Sequence, residues 1–271
     1  MSKNFTVNGV GFGNSHPLAL IAGPCVIESR KSVIDIAARL VRMAKRLDIP
    51  LVFKASYDKA NRTSIHAFRG PGISKGLEIL AEVREKYNIP ILTDIHTIEE
   101  IHIASQVVDI IQIPAFLVRQ TDFVVAAGES GCAVNIKKAQ FAAPWDMAQV
   151  IKKIESTGNT KILLTERGSS FGYNTLVADM RSLVIMRELG YPVIFDATHS
   201  VQSPGGQGDS SGGDGRFAPS LAKAATAVGV NGLFIETHHH PEEALSDGPN
   251  MVPLSQMPAL WKKLTAIDAV K

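Results

Sequence analysis

The stretch LALIAGPCVIES, residues 18–29, sets the pattern on which the fold of this chain depends. Its first six residues are apolar or small, a Gly-Pro pair then ends the run, and Cys25 follows directly. A continuous apolar run of this length is typical of a parallel β-strand that is buried on both faces. Similar runs recur along the chain, at residues 18–23, 51–54, 91–94, 109–113, 133–137, 162–166, 193–197 and 232–236.

An amphipathic segment follows each of these runs. Apolar residues after the first run repeat at helical spacing, at Val33, Ile36, Ala37, Leu40, Val41 and Ala44. We predict further helices over residues 72–87, 97–107, 119–129, 144–156, 174–189, 219–228 and 253–268. Strands alternating with helices in this way predict one α/β domain over residues 1–271, a (β/α)8 TIM barrel.

Two further features bear on the fold. The residues before the first strand are predicted to form a short hairpin or extension over the barrel floor. The Gly- and Ser-rich stretch 203–217 is predicted to be a lid at the seventh strand, with a flexible spacer as the alternative. An open, doubly wound sheet is the alternative fold, but no G-x-G-x-x-G motif follows any predicted strand.

The composition excludes several classes of protein. The 28 Lys and Arg residues nearly balance the 26 Asp and Glu residues, so net charge predicts no general affinity for nucleic acid. No apolar run is long enough to span a membrane, and the first residues lack the apolar segment of a signal peptide. Two cysteines are too few for a disulfide framework. We therefore predict a soluble, cytoplasmic protein.

Polar side chains stand where each predicted strand ends. They are Cys25, Lys54, Asp94, Gln112, Lys137, Glu166 with Arg167, Asp196 with His199, and Glu236. Buried parallel strands are otherwise apolar, and the active site of a (β/α)8 barrel forms at the carboxyl ends of its strands. The sequence therefore predicts a functional site at this rim.

The rim residues are of two chemical kinds. A cationic set could bind phosphate or carboxylate groups, and comprises Lys54, Lys59, Arg62, Arg69, Lys137 and Arg167, with hydroxyls from Ser56, Thr63 and Ser64. For Arg69 alone we favour a surface ion pair. A second set could hold zinc or ferrous iron through sulfur, nitrogen and oxygen, and comprises Cys25, His199, Glu236 and Asp247. Cys25 could instead be a small buried core residue.

Other candidate residues receive structural interpretations. Cys132 is predicted to pack at the barrel floor. His238, His239 and His240 are predicted to begin a loop, because adjacent residues cannot all face one ion. His96 fits either the edge of the site or a helix cap.

Ten motifs, in order along the chain, resemble those of one enzyme family. They are IAGPCVIES, FKASYDKANRTS, RGPG, LTDIH, QIPAFLVRQTD, NIKK, ERGSSFGY, DMRSL, FDATHSVQ and ETHHHPEEALSDGPN. The chain thus resembles the 3-deoxy-D-manno-octulosonate 8-phosphate synthase family. That resemblance implies a transferase of lipopolysaccharide biosynthesis, usually a homotetramer. It condenses phosphoenolpyruvate with D-arabinose 5-phosphate and water, and it releases inorganic phosphate.

The resemblance also implies roles for individual residues. Binding of the two substrates is implied for Lys54, Ser56, Lys59, Asn61, Arg62, Thr63, Asp94, Gln112, Lys137 and Arg167, with Arg62 reaching a sugar phosphate across a subunit boundary. Catalytic roles are implied for Lys59, His199 and Asp247. Family members with cysteine at the position of Cys25 bind a divalent ion, whereas members with asparagine do not. The resemblance therefore implies one ion per subunit (zinc, ferrous iron, manganese or similar) on Cys25, His199, Glu236 and Asp247.

Three alternative functions remain open from the sequence. The first is a 3-deoxy-D-arabino-heptulosonate 7-phosphate synthase-like enzyme that uses erythrose 4-phosphate, although the KANRTS motif favours the five-carbon sugar. The second is a Schiff-base aldolase with Lys54 or Lys137 as nucleophile. The third is a barrel that binds a sugar phosphate without catalysis.

Overall fold

The computed structural model describes residues 3–206 and 212–270. We label the barrel strands β1 (Ala19–Gly23), β2 (Leu51–Lys54), β3 (Ile91–Asp94), β4 (Ile110–Ile113), β5 (Ala133–Lys137), β6 (Ile162–Glu166), β7 (Val193–Asp196) and β8 (Gly232–His238). The helices that follow them are α1 (Arg30–Leu47), α2 (Ile73–Tyr87), α3 (Ile98–Ala104), α4 (Thr121–Glu129), α5 (Met147–Glu155), α6 (Met180–Glu188), α7 (Ala218–Val228) and α8 (Met257–Asp268).

The eight strands close into a cylinder within the described part of the chain. Each strand pairs in parallel with the next, from β1 to β7. Strand β8 then pairs with β7 on one side, where Ile194 lies opposite Gly232, and with β1 on the other, where Gly232 lies opposite Ala19. The predicted (β/α)8 barrel is therefore confirmed.

Helix α1 shows why the helices lie on the outside of the barrel. Its apolar stripe, which includes Val33 and Leu40, is completely buried, whereas Arg39 and Arg42 face solvent. The side chain of Ser29 caps the first turn by accepting a hydrogen bond from the Ser32 amide. The helix ends at Asp48, which adopts a left-handed conformation with φ of 52°.

The barrel floor is closed by an antiparallel hairpin of Phe5–Val7 and Val10–Phe12. Asn8 and Gly9 both have positive φ angles, 42° and 83°, which is the turn geometry that a two-residue hairpin favours. Phe12 is completely buried. It packs in one cluster with the inward-facing residues of the strands, Ala19, Ile21, Val52, Leu92, Ile110, Ala133, Leu163, Ile194 and Phe234. The predicted hairpin over the floor is confirmed.

Several predicted boundaries were wrong. Residues 174–179 are not helical, because Leu176–Val177 pairs with Ser169–Ser170 in a small hairpin beyond β6. Strand β8 runs on to His238 rather than ending at 236, because Thr237 and His238 pair with Val252–Pro253. That pairing also delays the start of α8, and His238 is a strand residue, not the beginning of a loop.

The stretch predicted as a lid is described only at its two ends. Gln202–Ser203 pairs with Gly212–Gly213, and residues 215–217 form a turn of 3-10 helix before α7. Residues 207–211 of the predicted lid lie outside the described residues. Among the helices that the structure describes, none is long and apolar enough to cross a membrane.

Candidate active site

A cavity of about 580 Å³ opens at the carboxyl ends of the barrel strands. Most of the predicted site residues line it: Lys54, Lys59, Asn61, Arg62, Thr63, Asp94, Gln112, Lys137, Arg167, His199 and Asp247. Cys25 and Glu236 are completely or almost completely buried beside them. The structure therefore brings residues from separate strand ends into one cavity, as the barrel topology requires.

Two lysines in the cavity wall are paired with carboxylates. Lys54 Nζ lies 2.5 Å from Glu236 Oε1 and donates to the Cys25 carbonyl at 2.9 Å. Lys137 Nζ donates to Asp196 Oδ2 and lies 3.3 Å from the centre of the Phe234 ring. Burial lowers the pKa of Lys137 to about 8, although Asp196 opposes the change. The two ammonium groups thus stand at fixed positions.

Lys59 and Arg167 supply two further cations to the cavity. Burial would lower the pKa of Lys59, but Cys25, Asp94, Glu236 and Asp247 together raise it, so its ammonium stays charged. Arg167 donates from Nη2 to Gln202 Oε1 at 2.8 Å. Its Nη1 is buried and has no hydrogen-bond partner among the described residues. A donor placed in this way suits an oxyanion ligand.

A cluster of metal-ligating groups adjoins the cations. Cys25 Sγ and one carboxylate oxygen each of Glu236 and Asp247 lie within 4.8 Å of one another. Cys25 Sγ is 3.2 Å from Asp247 Oδ2 and 2.9 Å from Ser246 Oγ. Burial raises the pKa of the Cys25 thiol well above its usual value, and Glu236 adds to that effect. Three acidic groups gathered this closely fit a divalent cation, since the sulfur and oxygen donors are those that zinc and ferrous iron accept.

His199 stands next to this cluster. Its Nε2 lies 3.6 Å from Glu236 Oε2, and its Nδ1 lies 2.7 Å from Asp196 Oδ2. A carboxylate that accepts from Nδ1 fixes the ring so that Nε2 faces the acidic cluster, as is usual for metal-ligating histidines. The fourth predicted ligand is therefore oriented toward the other three, although it lies outside their 4.8 Å group.

The loop between β2 and α2 forms part of the cavity mouth. Arg62 donates from Nε to the Phe68 carbonyl at 3.1 Å and from Nη2 to the Leu245 carbonyl at 3.5 Å. It lines the cavity of its own chain, together with Asn61 and Thr63. Arg69, by contrast, is exposed and paired with Asp58, as favoured from the sequence.

Ser56 and Asp94 belong to a polar network at one wall. Ser56 does not line the cavity, because its buried hydroxyl donates to Asp94 Oδ1. His96 lies 3.4 Å from Asp94 Oδ2 through Nε2 and 3.3 Å from Glu100 Oε2 through Nδ1. Burial alone would lower the pKa of His96, but the two carboxylates raise it to about 9. His96 lines the cavity, so it lies at the edge of the site.

Sequence reasoning missed one bridging residue. Gln202 lines the cavity and hydrogen-bonds both Arg167 and Asp247, at 2.8 Å and 2.9 Å. It is the last residue of the FDATHSVQ motif, but a neutral amide in a Gly- and Ser-rich region gives no chemical signal of its own.

A sequence model of the DAHP synthetase I family matches residues 3–269. The chain belongs to this family. The chain is 58% identical over 270 residues to a 2-dehydro-3-deoxyphosphooctonate aldolase of Geobacter metallireducens, an alignment that covers 100% of this chain and 99% of the relative. It is 61% identical over 265 residues to the enzyme of the same name from Granulibacter bethesdensis, with 98% and 94% covered.

These comparisons confirm the resemblance found in the sequence motifs. The name 2-dehydro-3-deoxyphosphooctonate aldolase denotes the same enzyme as 3-deoxy-D-manno-octulosonate 8-phosphate synthase. A third relative, from Citrifermentans bemidjiense, has the same name and is 59% identical over 270 residues, covering 100% of this chain and 99% of the relative. The similarity therefore extends over the whole barrel.

The remaining candidates in this family member lie away from the cavity. Cys132 packs just before β5, with its sulfur 3.4 Å from the Val108 carbonyl. His238 and His239 face different carboxylates, Glu28 at 3.4 Å and Asp35 at 2.8 Å. The two adjacent histidines thus pair with different carboxylates.

Proposed function

We propose that this protein is a 3-deoxy-D-manno-octulosonate 8-phosphate synthase that joins phosphoenolpyruvate to D-arabinose 5-phosphate. The observation that carries this proposal is the single cavity in which a cationic wall adjoins a thiol and carboxylate cluster. The names of the relatives support the same substrates. A cavity of about 580 Å³ is of the usual size for small-molecule ligands.

The cations hold the two phosphates and the carboxylate. Lys54, Lys59, Lys137 and Arg167 surround the deep part of the cavity and bind phosphoenolpyruvate, with Gln112 assisting. Asn61, Arg62 and Thr63 at the mouth bind arabinose 5-phosphate. Holding both reactants at fixed geometry supplies much of the rate enhancement, because the entropy cost of bringing them together is met on binding.

The reaction forms one carbon–carbon bond and one carbon–oxygen bond to water, and it breaks the carbon–oxygen bond to phosphate. C3 of phosphoenolpyruvate attacks the aldehyde carbon of the open-chain sugar, and positive character develops at C2. Water adds at C2, and the resulting hemiketal phosphate expels inorganic phosphate. Ammonium and guanidinium groups fixed around the phosphate stabilise the charge that it carries away. We propose that Lys59, whose ammonium stays charged, supplies a proton, and that His199 and Asp247 contribute to catalysis by holding the ion.

The acidic cluster holds a divalent metal ion in this proposal. Cys25, His199, Glu236 and Asp247 are its ligands, and Lys54 balances the charge of Glu236 at 2.5 Å. When bound, the ion supplies a Lewis acid that orients or polarises an oxygen of a reactant. Asp196 keeps the His199 ring in position through Nδ1. Zinc, ferrous iron and manganese all suit a mixed donor set of this kind.

The substrate assignment is tested by comparing two aldoses. Phosphate release from phosphoenolpyruvate is measured with arabinose 5-phosphate and with erythrose 4-phosphate at equal concentrations. We expect a higher kcat/KM with the five-carbon sugar. Faster turnover of erythrose 4-phosphate would favour the alternative heptulosonate synthase, and binding of both substrates without phosphate release would indicate a non-catalytic barrel.

A Schiff-base mechanism is tested separately. Lys137 has a lowered pKa, as nucleophilic lysines do, but its Nζ donates to Asp196. We therefore expect borohydride to trap no covalent adduct when phosphoenolpyruvate and sugar are present. A reduced adduct on Lys54 or Lys137, found by peptide mass spectrometry, would contradict the proposed mechanism.

We propose that the chain acts as one barrel domain in a cytoplasmic homotetramer. Large apolar side chains are exposed on the loops after β4 to β7, at Phe116, Phe141, Trp145, Phe171, Tyr173 and Phe217. An apolar surface of this kind favours self-association. Light scattering should give four times the 29.2 kDa chain mass. We also propose that Arg62 reaches the site of a neighbouring subunit in the tetramer.

A further inference from the structure

Gln202 joins the cationic wall to the metal-ligand cluster. Its Oε1 accepts from Arg167 Nη2 at 2.8 Å, and its Nε2 donates to Asp247 Oδ1 at 2.9 Å. A guanidinium offers only donors and an ionised carboxylate only acceptors, so these partners fix which way the amide points. The two hydrogen bonds therefore form a directed bridge across the cavity.

The backbone around Gln202 is held by the neighbouring segment of Gly213 and Asp214. It pairs with Gly213, and the Asp214 amide donates to the Val201 carbonyl at 3.1 Å. Gly213 has a φ of 159° and lies so close to Asn250 that a Cβ there would be 1.7 Å from Asn250 Oδ1. Asn250 follows Asp247 in the same turn, since its amide donates to the Asp247 carbonyl at 3.0 Å. The bridge is thus anchored to the segment that carries Asp247.

Each end of the bridge leaves an atom free to serve a ligand. With Nη2 of Arg167 on Gln202, Nη1 is a buried donor that has no partner among the described residues and can face an anion. With Oδ1 of Asp247 on Gln202, Oδ2 is the oxygen that faces Cys25 Sγ, at 3.2 Å. Any movement of Arg167 toward an anion therefore acts through one amide on Oδ1 of the Asp247 carboxylate, whose other oxygen faces the cluster.

We propose that Gln202 is a positioning residue that couples anion binding at Arg167 to metal binding at the cluster of Cys25, Glu236 and Asp247. This inference rests on the proposed function, and it adds a regulatory property to that site. Coupling between two binding sites is reciprocal, so the metal changes the affinity for phosphoenolpyruvate by the same factor as phosphoenolpyruvate changes the affinity for the metal.

The experiment measures this factor in three proteins. Gln202→Met keeps the length of the side chain and removes both hydrogen bonds, and Ser203→Ala is the matched control on the same short strand. Calorimetry gives the affinity for phosphoenolpyruvate in the metal-free protein and in the zinc-loaded protein, without sugar. Competition with a chromogenic chelator gives the affinity for zinc with and without phosphoenolpyruvate.

The quantity compared is the ratio of the affinities for phosphoenolpyruvate in the zinc-loaded and the metal-free protein. In the wild type and in Ser203→Ala we expect zinc loading to change this affinity about fivefold or more, the size usual for coupled sites. In Gln202→Met that ratio falls toward one, and the affinity of the metal-free protein for phosphoenolpyruvate falls about tenfold as Arg167 loses its support. The zinc titrations give the same ratios by reciprocity.

Two results would overturn the inference alone. One is that zinc changes the affinity for phosphoenolpyruvate by the same factor in Gln202→Met as in the wild type. The other is that zinc does not change this affinity in the wild type at all. If Gln202→Met does not fold, Gln202→Glu is used, which keeps an acceptor for Arg167 but repels Asp247 and should also abolish the ratio. A wild type that binds no phosphoenolpyruvate in either form would overturn the proposed function and the coupling with it.

Discussion

Lys137 gives the cavity a charge that depends on pH near neutrality. Its side chain is almost completely buried, and burial lowers its pKa from 10.5 to about 8 in spite of the bond to Asp196. A shift of this size corresponds to about 3 kcal/mol of free energy against the charged form. The ammonium is therefore present below about pH 8 and is lost as the pH rises above it.

The expected consequence is an alkaline limb in the activity of the free enzyme. If Lys137 binds the anionic groups of phosphoenolpyruvate, kcat/KM for phosphoenolpyruvate falls about tenfold for each pH unit above about 8. The assay is phosphate release at saturating arabinose 5-phosphate and low phosphoenolpyruvate, between pH 6 and 10, because kcat/KM reports groups of the free enzyme.

Two variants test whether Lys137 causes this limb. Lys137→Arg keeps a positive charge throughout the range, so the limb near pH 8 should disappear even if activity is lower. Lys137→Met has no charge at any pH, so its kcat/KM should be low and flat, about 100-fold or more below wild type at pH 7. A limb at the same pH in Lys137→Arg, or a flat wild-type profile from pH 7 to 10, would show that titration of Lys137 does not control the activity.

Three further changes test the fold and the wall of the site. Phe12→Ala should lower the free energy of unfolding, measured in urea, by about 3–5 kcal/mol, because it leaves a cavity at the barrel floor. Phe5→Ala should lower it by less, since Phe5 is only half-buried. An equal loss of stability in the two variants would show that the hairpin does not seal the core. Gly23→Ala should destabilise the protein by about 3 kcal/mol or more, since a Cβ would lie 1.9 Å from the Lys54 carbonyl oxygen; a thermal midpoint like that of the wild type would contradict this close approach. The raised pKa of His96 should stabilise the fold fully below pH 6.5 and lose that effect as the pH rises through about 9. Between pH 6 and 10 the free energy of unfolding, measured by urea titration, should therefore fall by up to about 3 kcal/mol more in the wild type than in His96→Gln. The same dependence on pH in both proteins would contradict this role of His96.

The barrel could be predicted because its signals are local and repeated. Strands such as β6 and β7 are buried along their whole length, so they read as continuous apolar runs with a polar residue at the end. Topology then places those ends at one rim, which is why Lys54, Lys137 and His199 could be assigned to one cavity without knowing a single contact.

The errors arise where pairing between strands outweighs the local preference of a segment. Residues 174–179 have a helical pattern, but Leu176–Val177 pairs with a strand beyond β6 instead. Strand β8 continues past Glu236 because Val252–Pro253 lies beside it, more than a dozen residues away in sequence. The local pattern of one segment does not show that it will pair with another, even where the partner is near in sequence, as Leu176 is to Ser170.

Polar networks are the other part that sequence could not supply. Ser56 stands at a strand end like its neighbours, yet its hydroxyl is taken by Asp94. Gln202 carries no charge, and its importance depends on Arg167 and Asp247, which lie 35 and 45 residues away. The direction of a side chain, rather than its type, decides these roles.

Removal of the metal ion by chelation tests whether the proposed synthase depends on it. Phosphate release from phosphoenolpyruvate and arabinose 5-phosphate is measured before treatment with a strong chelator, after it, and after zinc, ferrous iron or manganese is restored. We expect activity to be lost with the metal and to return with at least one of these ions. Activity that persists in protein shown to contain no metal would contradict the role given to Cys25, and no phosphate release under any condition would contradict the proposed function itself.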